Sequence, residues 1–188
     1  MTDHTVLFIP GAGDPRHPQG SSHLAHYLAR ELGDGFGVVA PEMPNANDPD
    51  YRSWRDAIET HLVDLGDNTL LVGHSFGGSV LLKYLAEDTY QEPIAALFLV
   101  ATPFWGPGFP DFALPDDFAV ALKGIPIVLY HSRDDPEIPV SHLRRYQEQL
   151  PHATSRLIDG SEHSFVNGLP QLVRDIRAFA ETSSNTGT

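Results

Sequence analysis

The segment Leu71-Val72-Gly73-His74-Ser75-Phe76-Gly77-Gly78 decides how this chain folds. It contains the pattern G-x-S-x-G, in which a serine lies on a tight turn between a strand and a helix. Residues 69–72 before the turn are mostly apolar, and residues 79–85 after it have the composition of a helix. We therefore predict a buried strand, a helix that starts near Phe76, and Ser75 in the strained position between them.

The two glycines of the pattern let the strand and the helix approach closely, because a Cβ at Gly73 or Gly77 would crowd that contact. The Ser75 hydroxyl then lies at a helix N-terminus, whose free N–H groups favour developing negative charge. Ser75 is therefore the candidate nucleophile. The alternative is a glycine-rich strand–helix turn with an incidental serine.

Length, charge and composition exclude several classes of function. The 188 residues suffice for one domain, which we expect over residues 1–181, followed by a disordered tail at 182–188. The formal charge of −13 disfavours binding to nucleic acid or to anionic membranes. The chain has no cysteine, so thiol catalysis and disulfides are excluded. No apolar run approaches a transmembrane length and the N-terminus lacks the features of a signal peptide, so a cytoplasmic location is expected.

Strand and helix patterns alternate along the whole chain. This order is typical of an α/β fold with a mostly parallel sheet and helices on both faces, a three-layer α/β/α sandwich. In such sheets ligands bind beyond the carboxyl ends of the strands, where the strand order reverses. The predicted strands are 5–9, 36–40, 68–73, 94–100, 125–130 and 154–158.

A serine nucleophile needs a histidine base and a carboxylate that orients it. With this type of turn they are expected after the serine in the order acid, then histidine. Of the ten histidines, only His163 follows a predicted strand end and also comes after a candidate acid. The acid is Asp134 or Asp135. Asp135 is favoured because Pro136 biases it toward an extended backbone, which leaves Asp134 toward solvent.

An oxyanion site needs two backbone N–H donors. One is expected from Phe76, and the second from the loop after the first strand, at Ala12 or alternatively at Gly13. The glycines of this loop do not match G-x-G-x-x-G, so dinucleotide binding is not expected. No metal or other cofactor is required by this arrangement.

The segment 101–118 is rich in proline, glycine and aromatic residues. Its rings either line a substrate pocket or fill the core. Because no second domain is present to cover the site, we favour a pocket wall made by Phe104, Trp105 and Phe109.

These motifs together resemble the α/β-hydrolase superfamily, and most of all the small serine hydrolases without a cap domain that are grouped with retinoblastoma-binding protein 9. The motifs that carry the resemblance are Phe8-Ile9-Pro10-Gly11, Pro41-Glu42-Met43-Pro44, Gly73–Gly78, Asp135-Pro136-Glu137-Ile138-Pro139 and Gly160-Ser161-Glu162-His163. The resemblance implies strand order 2-1-3-4-5-6 and no separate lid. The spacing D-x-x-x-P of that family also favours Asp135 as the acid.

The expected function is hydrolysis of a small ester through Ser75, His163 and Asp135, with an amide or thioester as the alternative substrate. The partner is then a small molecule, and the sequence points to no protein partner. Two other interpretations stay open on the same fold. One is a protein-interaction module, and the other is an acyltransferase or a cofactor-free haloperoxidase.

Overall fold

The computed structural model describes residues 4–65, 69–87, 94–106 and 108–185. Strands and helices alternate through these residues, as the sequence predicts. The strands are β1 (His4–Ile9), β2 (Phe36–Val39), β3 (Thr69–His74), β4 (Ile94–Val100), β5 (Ile127–Ser132) and β6 (Thr154–Ile158). The helices are α1 (Ser22–Leu32), α2 (Tyr51–Leu65), α3 (Phe76–Glu87), α4 (Phe118–Ala121), α5 (Ser141–Gln149) and α6 (Pro170–Asn185).

The six strands form one sheet in the order β2-β1-β3-β4-β5-β6, and every neighbouring pair is parallel. This confirms the predicted α/β-hydrolase topology. The strand order reverses at β1, which lies between β2 and β3. The loops that follow β1 and β3 therefore leave the same edge of the sheet side by side, as ligand sites in such sheets require.

Two apolar clusters cover the two faces of the sheet, which makes the predicted three layers. Alternate strand residues point to opposite faces, so Leu71 joins one cluster and Val72 the other. On the first face lie α2, α3, α4 and α5, and on the second lie α1 and α6. Helix α3 is buried from Phe76 to Leu85, which holds the turn at its start firmly in place.

Four of the six strands, β1, β2, β3 and β5, have an end one or two residues away from the predicted position. Strand β5 begins at Ile127, two residues late, because Pro126 has no N–H and joins the sheet only through its carbonyl, which accepts the Leu97 N–H. Helix α2 begins at Tyr51, because the carboxylate of the preceding Asp50 accepts the Ser53 N–H at 2.9 Å and caps the helix.

Helix α6 continues to Asn185, four residues beyond the predicted domain end at residue 181. Residues 186–188 of the predicted tail, and residue 68 at the predicted start of the third strand, lie outside the described residues. Within the described ranges no cap domain is inserted between the strands, and no helix has the length and apolarity needed to cross a membrane.

Candidate active site

Ser75 occupies a strained turn between β3 and α3. Its φ of 51° lies in the left-handed region that non-glycine residues seldom adopt. Close packing maintains this conformation, because a Cβ on Gly73 would lie 2.5 Å from the Cα of Gly78, and one on Gly77 would lie 2.5 Å from the carbonyl oxygen of Ile9. The turn itself therefore matches the prediction, including the reason for its glycines.

The structure brings three of the predicted site residues into one hydrogen-bonded line. His163 Nε2 lies 2.9 Å from Ser75 Oγ, and His163 Nδ1 lies 2.8 Å from Asp135 Oδ2. The three residues come from loops after β3, β5 and β6, so they meet at the carboxyl edge of the sheet. The His163 and Asp135 side chains are almost wholly buried, at 7% and 0% exposed, and the ring therefore has little freedom to leave this line.

The Asp135 carboxylate is held by several donors. Its Oδ1 accepts the backbone N–H groups of Glu137 and Ile138, each at 2.8 Å. Burial acts to raise the pKa of Asp135, but the hydrogen bonds from His163, Ile138 and Glu137 and the nearby imidazole outweigh it and leave the pKa below its usual value. Asp135 is thus an anion at neutral pH, and it fixes the proton of His163 on Nδ1.

Asp134 is exposed, as expected. Its carboxylate accepts the Ser132 hydroxyl and the Gly160 N–H, and the Ser132 bond is the main cause that lowers the Asp134 pKa. The neighbouring Arg133 pairs with Asp159. Asp134 therefore fastens the loop after β6, three residues before His163, and does not touch the imidazole.

The two predicted oxyanion donors, the N–H groups of Phe76 and Ala12, have no hydrogen-bond acceptor among the described residues. Phe76 is the first residue of α3, where the N–H has no partner within the helix. In the loop after β1, Gly11 donates to Ser21 Oγ and Gly13 donates to the Ala46 carbonyl. No acceptor among the described residues takes the Ala12 N–H. Ala12 is therefore a better donor candidate than Gly13.

A family comparison agrees with this fold. A model of the alpha/beta hydrolase family matches residues 6–179. The chain belongs to the alpha/beta hydrolase family.

The individual proteins that this chain is similar to share less than a quarter of their aligned residues with it. YdeN of Bacillus subtilis (strain 168) is 24% identical over 132 residues, which are 66% of this chain and 68% of that protein. The crystal structure of the B. subtilis ydeN gene product has a TM-score of 0.76 at 22% identity and covers 94% of this chain and 98% of its own. A meta-cleavage product hydrolase (CumD) from Pseudomonas fluorescens IP01 has a TM-score of 0.74 at 16% identity, covering 99% and 92%. At these identities the structures establish the fold alone, and the resemblance to the retinoblastoma-binding protein 9 group stays a prediction.

The predicted pocket residues of this alpha/beta hydrolase divide into two sets. Phe104 and Trp105 line a cavity of about 420 Å³ that none of Ser75, Asp135 and His163 lines. Phe109 is not part of that lining and is 54% exposed, but its ring lies 4.9 Å from that of Trp105. Trp105 also contacts the ring of Phe76, beside the nucleophile, at 6.3 Å between centroids. The rings thus run from the serine turn to the surface and partly fill the core as well.

Three residues of the site region were missed or misjudged from the sequence. A serine before a helix is ordinarily a cap, but the Ser21 hydroxyl makes no cap bond and lies 2.8 Å from His74 Nδ1. His142, in the first turn of α5, has an Nδ1 that accepts the Phe104 N–H, and burial, then His131 and Arg145, lower its pKa. Glu137 Oε2 lies 3.8 Å from His163 Nε2, which is also the ring nitrogen that faces Ser75.

The sequence carries only weak signals for these three contacts. Each joins residues from different loops, and a serine before a helix or a glutamate in a turn has a common local explanation. Among the described residues no group of three or more histidine, aspartate or glutamate side chains has the spacing of a metal site.

Proposed function

We propose that this alpha/beta hydrolase is a serine esterase that cleaves small carboxylic esters through an acyl-enzyme on Ser75. The observation that carries the proposal is the line Ser75 Oγ – His163 Nε2 and His163 Nδ1 – Asp135 Oδ2, at 2.9 and 2.8 Å. These distances are those of a serine, its base and the orienting acid.

In the first half-reaction Ser75 Oγ attacks the ester carbonyl and its proton passes to His163 Nε2. The negative carbonyl oxygen of the tetrahedral intermediate accepts hydrogen bonds from the Phe76 and Ala12 N–H groups. The bond from the carbon to the alcohol oxygen then breaks, and His163 gives its proton to the leaving alkoxide. Asp135 stays ionised and stabilises the imidazolium while it exists.

In the second half-reaction water takes the place of the alcohol. His163 accepts a proton from the water as it attacks the acyl carbon, and the same proton returns to Ser75 Oγ when the acid leaves. Apart from the ester and this water, no group outside the chain is needed for the balance of protons and electrons.

Short or medium acyl groups are the proposed preference. The cavity beside Phe104 and Trp105 is about 420 Å³, at the small end of ligand pockets. The half-buried ring of Trp105 lies between this cavity and the ring of Phe76, which is next to the nucleophile. An acyl chain lying along these rings would reach the surface at Phe109.

The test is a panel of esters of increasing acyl length, with matched amides and thioesters, assayed on wild type and on Ser75→Ala and His163→Ala. We expect turnover of short esters, with losses on the order of 10⁶ in kcat for each variant and little further loss in the double variant. Ester hydrolysis by folded Ser75→Ala at a rate near that of wild type would refute the mechanism. Preferred cleavage of amides or thioesters would make these, and not esters, the substrate class of the enzyme.

A further inference from the structure

His74, the residue before the proposed nucleophile, is a buried histidine with two hydrogen bonds to other loops. It is 2% exposed, its Nδ1 lies 2.8 Å from Ser21 Oγ, and its Nε2 lies 2.9 Å from the carbonyl oxygen of His163. The Ser21 oxygen in turn accepts the Gly11 N–H at 2.8 Å. A continuous chain of three hydrogen bonds therefore runs beneath the site.

The directions of these bonds are fixed by their end groups. A carbonyl oxygen only accepts, so His74 Nε2 must carry the proton that bonds to His163. In the neutral ring His74 Nδ1 is then an acceptor and takes the Ser21 hydroxyl proton, which leaves a Ser21 lone pair for the Gly11 N–H. Burial, and then the adjacent His163, lower the pKa of His74 to about 4, which agrees with a neutral ring.

The chain of bonds ends on the two loops that the proposed mechanism uses. Gly11 is the neighbour of Ala12, whose N–H is the proposed second oxyanion donor. A Cβ on Gly11 would lie 3.1 Å from Ser75 Cβ, so this loop already packs directly on the nucleophile. At the other end, the bonded carbonyl belongs to His163 itself, whose side chain must face Ser75 Oγ.

We infer that Ser21 and His74 form a positioning pair for the hydrolase reaction: His74 holds the backbone of the base His163, and Ser21 holds the oxyanion loop at Gly11. Neither side chain hydrogen-bonds to the reacting atoms, although the rings of His74 and His163 lie 5.2 Å apart between centroids. Through these two backbone bonds the pair fixes how far the base His163 and the oxyanion loop lie from the nucleophile Ser75. This inference rests on the proposed function for its kinetic consequence but not for its structural one.

The structural consequence is tested first, without any substrate. The ¹⁵N spectrum of histidine side chains in the wild-type protein near neutral pH should show His74 as the neutral Nε2–H tautomer. Ser21→Ala should perturb the His74 signals and also those of His163. An Nδ1–H tautomer for His74, or His163 signals unchanged by Ser21→Ala, would overturn the positioning pair whether or not the protein is an esterase.

The kinetic consequence is tested with matched serine variants. Ser21 and Ser79 are both 3% exposed, and each has a buried hydroxyl in hydrogen bonds, but the Ser79 hydroxyl donates to the Pro103 carbonyl, in the loop after β4. Ser21→Ala should lower kcat about ten- to a hundredfold with KM changed less than about threefold, because misplacement of catalytic groups by about an ångström has effects of this size. Ser79→Ala should change kcat less than about threefold.

Conservative variants separate positioning from packing. Ser21→Thr keeps the hydroxyl and should recover most of the lost kcat. His74→Gln keeps a donor near the Nε2 position and should retain more activity than His74→Asn, which keeps a polar group only near Nδ1. Equal losses in Ser21→Ala and Ser79→Ala, or no recovery in Ser21→Thr, would refute the inference. Failure of wild type to cleave any ester would refute the proposed function and leave the tautomer result to decide the positioning pair.

Discussion

Asp135 and not Asp134 contacts the imidazole of His163, with 2.8 Å between Asp135 Oδ2 and His163 Nδ1. The carboxylate of Asp134, one residue earlier, faces the other way and accepts the Ser132 hydroxyl and the Gly160 N–H. Consecutive residues at the end of a strand point in opposite directions, so only one of them can reach the base. This relationship allows the two acids to be separated by experiment.

We expect Asp135→Asn to lower kcat by up to about 10⁴, because the imidazole loses the anion that orients it and can adopt the wrong tautomer. Asp134→Asn should lower kcat less than about tenfold, since the amide oxygen can still accept from Ser132 and Gly160. Steady-state kinetics on both folded variants is the measurement. The reverse pattern would assign the role of acid to Asp134.

Glu137 should bias the hydrolase against anionic substrates. Its carboxylate lies 3.8 Å from His163 Nε2 and its side chain is 57% exposed, so it stands at the open side of the reacting groups. Charges a few ångströms apart in a water-like medium interact by about 1 kcal/mol, which is roughly fivefold in rate. Glu137→Gln should therefore raise kcat/KM for an anionic ester relative to a cationic ester of the same length by about that factor.

Added salt should reduce the Glu137 effect, because exposed charges are screened. Glu148→Gln, which removes one charge from the exposed surface of α5, is the matched control and should leave the ratio near its wild-type value. A ratio that responds equally to both variants would mean that the net charge of −13, and not Glu137, sets the preference.

Trp105 should contribute to substrate binding more than Phe109 does. Its ring lies between Phe76, Phe112 and Phe109, whereas Phe109 is 54% exposed. Trp105→Ala should raise KM for medium-chain esters several-fold, and Phe109→Ala should raise it less. Kinetics and thermal unfolding of both variants make the comparison. A large fall in Tm for Trp105→Ala with unchanged KM would assign Trp105 to the core alone.

Acid should weaken the fold partly through His74. Burial and the neighbouring His163 lower its folded-state pKa to about 4, while Asp135 and the bond to His163 oppose this shift. The unfolded chain takes up a proton near pH 6.5 and the folded one does not, so stability is full above about pH 6.5 and falls toward about pH 4. A depression of this size corresponds to about 3 kcal/mol.

Urea unfolding of wild type and His74→Gln at about pH 7 and about pH 4.5 measures this contribution. We expect wild type to lose about 2–3 kcal/mol more than the variant on acidification, since glutamine does not titrate. Equal losses would show that His74 is not a buried neutral group.

The features predicted correctly from sequence are those that local chemistry determines. The turn at Ser75 follows from Gly73 and Gly77, because a side chain at either position would not fit where β3 meets α3. Asp135, favoured partly because Pro136 restricts its backbone, contacts His163, and its role as the acid stays a prediction. The sheet topology was confirmed because alternating strands and helices leave few arrangements.

The features that escaped prediction depend on contacts between distant segments. The hydrogen bond of Ser21 to His74 spans 53 residues, and that of His74 to the His163 carbonyl spans 89. A serine at a helix start is ordinarily a cap, and only the packed structure reveals that its hydroxyl is used elsewhere. The start of β5 was misplaced for a similar reason, since pairing with β4 decides how Pro126 is used.

Covalent labelling tests the central claim, that Ser75 is a nucleophile activated by His163, most directly. Wild-type protein is treated with a fluorophosphonate, and the adduct is located by intact mass and peptide mass spectrometry in parallel with Ser75→Ala and His163→Ala. We predict one adduct per chain, on Ser75, absent in Ser75→Ala and formed far more slowly in His163→Ala. An unlabelled wild type, or labelling that persists undiminished in Ser75→Ala, would contradict the account.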